Sequence, residues 1–101
     1  MNFRIIHILL LLSSLVLKAE NFGSITGTIS DSDKGTELPG VNIIVKGTYY
    51  GSSSDLEGRY RLNDISPGSY DIEVSMIGYK IILKTGVLVE AGKTITIDFK
   101  M

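Results

Sequence analysis

Few residues of this 101-residue chain could carry out chemistry, and each can be weighed by type and spacing. The one histidine is His7, close to the N-terminus, and there is no cysteine. Beyond that N-terminal stretch the chain has no proton carrier working near neutrality and no thiol nucleophile, which removes nearly all zinc sites as well. Hydroxyls and carboxylates remain. Ser52-Ser53-Ser54 has the hydroxyls but neither a strand-to-helix elbow nor a base beside it, so a polar strand edge or loop is expected. Asp55 with Glu57, and Asp71 with Glu73, could make acid pairs, but a glycosidase needs two carboxylates flanking a cleft and a domain this small has little volume for one. Turn and solvated-face roles are expected for all four. Asp31-Ser-Asp-Lys-Gly35 begins like a calcium loop, yet Gly35 stands where a third ligand belongs and Asn42 where the bidentate glutamate belongs, so it reads as a turn. No catalytic, cofactor-binding or metal-ligating residue is predicted. Tyr49 and Tyr50 are the one feature that could meet a ligand, by stacking on a sugar ring or anchoring a protein; their alternative role is to close one end of the domain.

Two segments must be told apart before these residues can be placed. Met1 to Ala19 has Arg4, then an apolar run from Ile5 to Leu17, then a small residue at Ala19. That is the layout of a secretory signal, too short to span a bilayer comfortably, and the alternative is an uncleaved anchor or a buried helix. No cysteine follows the run, which argues against a lipid anchor. Export with removal of residues 1–19 leaves 82 residues, eight basic against eleven acidic, a net charge of −3. Such a balance offers no basic patch for nucleic acid or for a membrane surface. Without disulfides the exported domain depends on its apolar core alone, and at this length a core withdraws only roughly 60–65% of the unfolded surface from water.

From Gly23 onward the chain alternates strands and turns. Ile25, Gly27 and Ile29 fall on one side of a first strand, with Gly27 marking a bulge or a close backbone approach. Leu38-Pro39-Gly40-Val41 has the proline and glycine of a type II turn, and Val41, Ile43 and Val45 then point inward. Ile44 breaks that alternation and is expected to be buried on the opposite face. Asp55 to Gly58 fits a type I turn, after which Tyr60 and Leu62 point in and Arg59 and Arg61 out. Ser66-Pro67-Gly68-Ser69 is expected to repeat the first proline-glycine turn. Tyr70, Ile72, Val74 and Met76 follow as the clearest inward set, Gly78 bends the chain, and Ile81, Leu83, Val87 and Val89 extend the set. Ala91-Gly92 makes a tight connection to a last strand with Ile95, Ile97 and Phe99 inward. No helical period occurs after residue 19. The expected fold is all-β, a seven-stranded antiparallel Greek-key sandwich occupying 20–101, preceded by a helical signal peptide over 1–19.

At LPGVNIIVKGT, Gly51, Asp55-Leu-Glu-Gly58, Arg59-Tyr60, Pro67-Gly68-Ser69-Tyr70 and Val74-Ser75-Met76-Ile77-Gly78-Tyr79 the chain resembles the carboxypeptidase regulatory-like domain, a prealbumin-like sandwich. The likeness runs from Gly23 to Phe99. Domains of this kind stand at the N-terminus of many TonB-dependent outer-membrane receptors, the SusC-like ones included. The resemblance implies a non-catalytic accessory or interaction domain of such a receptor, exported to the periplasm or associated with the outer membrane. Envelope proteins are the implied partners, with glycans as a further class and nucleic acid excluded. The sequence given ends at Met101, so the expectation is a module present without plug or barrel. Two alternatives are a secreted carbohydrate-binding or adhesive module using Tyr49 and Tyr50, and an accessory domain of an exported peptidase. The recognisable motif is made of turn glycines and core tyrosines, which identify an architecture and carry no reaction with them.

Overall fold

The computed structural model describes residues 21–101; the expected signal segment, 1–19, lies outside the described residues. Eight strands and no helix make up that stretch: β1 Gly23–Ser30, β2 Asn42–Val45, β3 Gly51–Ser53, β4 Arg59–Ile65, β5 Gly68–Ser75, β6 Ile82–Val89, β7 Thr94–Thr96 and β8 Phe99–Lys100. They form two sheets, one ordered β4-β1-β7 with β8 also on β1, the other ordered β3-β2-β5-β6. The fold is the all-β sandwich that the strand-and-turn pattern predicts. The expected last strand is divided into β7 and β8 at Ile97 and Asp98. There Asp98 Oδ1 accepts the Thr28 N–H at 2.8 Å, a side chain standing in for a ladder partner.

One departure from antiparallel pairing follows from where the chain crosses between sheets. β6 ends beside the start of β1, since a Cβ on Gly23 would sit 2.6 Å from Val89 Cγ1, and Ser24 N–H donates to the Lys93 carbonyl at 3.0 Å. A strand that starts from that end must run the same way as β1, so β7 and β8 pair with β1 in parallel.

The core lies between the sheets. Ile25, Ile29, Val41, Ile43, Val45, Ile65, Ile72 and Val74 are fully buried, and Tyr60, Leu62, Val87, Val89 and Phe99 nearly so. Ile95 and Ile97 are half-buried and pack against this group. Gly27 is the close approach the sequence suggested: a Cβ there would collide with the Ile97 carbonyl and lie 2.9 Å from the Tyr60 ring. Tyr60 donates its hydroxyl to that same carbonyl at 2.5 Å and sets its ring 6.1 Å from Phe99, centroid to centroid. Burial pushes the Tyr60 phenol well above its ordinary value, with the Asp98 charge adding to the effect.

Three expectations need correction. Ile44 is 41% exposed on the outer face of β2. Ile81 and Leu83 are exposed too, and Ile82 points inward in their place. The cause is an extra residue in β6: Tyr70 faces Val87 but Ile72 faces Lys84, so Asp71 opposes both Thr85 and Gly86. Gly86 takes φ 67° there and donates its N–H to Asp71 Oδ1 at 3.2 Å, a bulge that reverses the phase of every residue before it. The third correction concerns Pro67-Gly68, which does not repeat the first turn. Gly68 is the first residue of β5 and has no positive φ; the left-handed residue nearby is Asp64, at φ 56°, in the irregular end of β4. That connection carries the chain from one sheet to the other, where a tight reversal is not required.

Candidate binding surface

The residues singled out for chemistry are taken up by local structure. Ser54 is buried, and its hydroxyl accepts the Val41 N–H at 2.9 Å while donating to the Leu38 carbonyl at 2.7 Å. In a direct turn those two backbone groups would bond to each other. The serine hydroxyl has inserted itself between them, and the backbone of Ser54 clamps the same loop through Gly40 N–H and Val41 C=O, each at 3.0 Å. A hydroxyl held this way has no freedom to act as a nucleophile. Ser52 and Ser53 lie on β3 as the polar strand edge expected.

Asp55 Oδ1 accepts the N–H groups of Glu57 and Arg59, both at 2.9 Å, and Gly58 at φ 74° closes the turn. Arg59 lies 3.8 Å from Asp55 and 3.5 Å from Glu57 on an exposed rim, where such pairs add little stability. Asp71 serves the β6 bulge, as above. The Asp31 loop is a turn, its Oδ1 accepting the N–H groups of Asp33 and Lys34 at 2.8 Å each. Its Oδ2 accepts the Tyr79 hydroxyl at 2.6 Å, and that bond, followed by those of Lys34 and Asp33, holds the Asp31 carboxyl below its ordinary value. Gly78, at φ 89°, turns Tyr79 toward that contact, which gives the Gly-Tyr pair of the motif a structural purpose. Asp31, Asp33, Tyr79, Lys80 and Met101 line a shallow open groove of about 560 Å³. Among the described residues no cluster of three or more metal-ligating side chains occurs.

The two aromatic candidates separate. Tyr49 stands wholly in solvent at the tip of the β2–β3 loop. Tyr50 is half-buried against the core, and its hydroxyl meets Ser66, accepting that residue's N–H at 3.3 Å. One ring is therefore free to stack and the other closes the end of the sandwich.

The two outer faces differ in a way that strand alternation alone does not reveal. Outside the first sheet lie Thr26 and Thr28 on β1, Arg59, Arg61 and Asn63 on β4, and Thr94 and Thr96 on β7, all polar. Outside the second, Ile44, Glu73 and Leu83 stand directly opposite one another on β2, β5 and β6, and Ile81 is exposed beside them. Ile44's break in alternation was the one signal of this surface in the sequence.

Comparison with known proteins agrees with the architecture. A family model described as a carboxypeptidase regulatory-like domain matches residues 24–101. TonB-dependent receptor P3 of Formosa agariphila is 35% identical over 75 residues, and TonB-dependent receptor P39 of the same organism is 42% identical over 74. These matches take in 74% and 72% of this chain but only 7% of each receptor. Among solved structures, a type II cohesin–X-dockerin complex of Acetivibrio cellulolyticus superposes at a TM-score of 0.65 and 18% identity, over 76% of this chain and 52% of that one. The minor pilin of Streptococcus agalactiae does so at 0.54 and 19%, over 80% and 45%. At those identities the structures share the fold alone.

Proposed function

This chain belongs to the carboxypeptidase regulatory-like domain family, and from that premise we propose that it is a non-catalytic interaction module working in the cell envelope, as part of or beside a TonB-dependent receptor. The observation that carries the reading is the similarity to two such receptors along nearly three quarters of the chain. The geometry supports it as well. Ser54, Asp55, Asp31 and Asp71, the side chains with the right chemistry for catalysis, are engaged in hydrogen bonds that shape turns and a bulge. In this reading residues 1–19 direct export and are removed, and residues 20–101 act on the periplasmic side of the outer membrane. N-terminal sequencing of protein recovered from an envelope fraction should then begin at or near Glu20, and intact Met1 there would point to an anchor.

A second reading, a glycan-binding module, has one observation in its favour, the fully exposed ring of Tyr49. Sugar-binding surfaces usually present more than one ring, and Tyr50 is engaged elsewhere. One experiment separates the two. The immobilised chain is challenged with periplasmic extract and, separately, with a glycan panel. The proposal expects a specific protein and no glycan; glycan capture that is lost in Tyr49→Ala, with no protein retained, overturns it.

A further inference from the structure

The exposed row on the second sheet has a pattern that a partner would have to match. Ile44 and Leu83 flank Glu73 across three adjacent strands, at 41% and 52% exposure. Ile81, at 64%, extends the apolar part just ahead of β6, the edge strand. Three partly exposed aliphatic side chains gathered around one carboxylate, with none on the outer face of the other sheet, set this side apart as the candidate contact surface. Glu73 is half-buried between its neighbours and, among the described residues, has no ion pair or side-chain hydrogen bond. A second copy packed with its two-fold axis at the centre of the row would press one Glu73 against the other in a desolvated contact, which like charges oppose. The occupant therefore needs a cation between two apolar groups.

The spacing indicates how that cation is presented. Neighbouring strands are about 4.8 Å apart, so the row covers about 10 Å, and two turns of an α-helix rise about 11 Å. Resting on the reading of a protein-binding module, we propose that the outer face of β2, β5 and β6 seats an amphipathic helix of an envelope protein, laid across the strands, with apolar residues at i and i+7 over Ile44 and Leu83 and a Lys or Arg at i+4 over Glu73.

The test uses the full chain and two Ala-rich helical peptides of about 18 residues, long enough to hold a helix in water, with Leu at i and i+7 and either Lys or Glu at i+4. Amide NMR shifts should move at Ile44, Glu73 and Leu83. The Lys peptide should bind about fivefold more tightly than the Glu peptide, the size of one surface attraction replaced by a repulsion, and Glu73→Lys should reverse the order. Leu83→Ser should weaken binding roughly tenfold. Thermal melts should show both variants folded, since both positions are on the outer face. No shifts at these amides with millimolar peptide, equal binding of the two peptides, or a dimer of this chain formed through the same face would each overturn the inference. An envelope protein captured equally by wild type and by Leu83→Ser would overturn it while leaving the interaction-module reading in place.

Discussion

Removing the Ser54 hydroxyl should be among the most damaging single-atom changes in the domain. Ser54→Ala keeps the backbone bonds to Gly40 and Val41 but strands the Val41 N–H and the Leu38 carbonyl, which the hydroxyl bridges at 2.9 and 2.7 Å in a site 6% exposed. A buried backbone group left without a partner costs about 1–3 kcal/mol, so two such groups put the loss at about 2–4 kcal/mol after partial relaxation. One relaxation would soften it: the turn could tighten until Val41 N–H donates straight to Leu38 C=O. The clamp from the Ser54 backbone opposes this, because it holds the loop open at both Gly40 and Val41. A domain of this size has roughly 4–12 kcal/mol of stability in total, and each kilocalorie is worth about 4–8 °C of melting temperature. Melting followed by circular dichroism should therefore fall by roughly 10–25 °C for Ser54→Ala. Ser53→Ala, on the exposed neighbour, is the control and should change nothing measurable. If both variants melt within about 2 °C of wild type, the hydroxyl does not carry the turn.

Val74→Asp places an unpaired charge at a position with no solvent exposure and should leave the chain unfolded by circular dichroism at room temperature; a folded variant would disprove the packing of β5. Gly27→Ala drives a methyl into the Ile97 carbonyl, a backbone group with no flexible end to yield, so β7 and β8 should separate from β1 and their amides lose protection from hydrogen exchange; unchanged protection would contradict that contact. The Tyr79 hydroxyl holds the Asp31 carboxyl below 3.8, which means its contribution is whole above that pH and is lost as pH falls through the lowered value. Tyr79→Phe should accordingly melt lower than wild type at neutral pH, with the gap closing on acidification, and a gap that stays constant down to about pH 2.5 would refute the coupling. At the alkaline end the raised Tyr60 phenol works with the opposite sign: its contribution is present below pH 10 and disappears as pH rises beyond it, so wild type should lose stability above about pH 10 in a way that Tyr60→Phe does not.

Local rules legible in the sequence set much of this protein. Gly40, Gly58, Gly78 and Gly92 take the positive φ that their turns need, and Ile25, Ile29, Val41, Ile43, Val45, Ile72 and Val74 share one core as their alternation requires. Those signals depend on a few neighbouring residues, which is why they survive without knowledge of the fold. What failed depended on partners far along the chain. Alternation reports which residues share a face only while the phase is kept, and the extra residue at Thr85-Gly86 moves Ile81 and Leu83 from the core to the surface with no mark other than a glycine. The role of Ser54 could not be read from a run of three serines, because the groups it bridges lie 13 and 16 residues earlier and come within reach only when β2 and β3 pair. Exposure of Ile44, and with it the row through Glu73, was likewise decided by packing: the second sheet has the first on one side only, so one face of β2 must look outward whatever residues it bears.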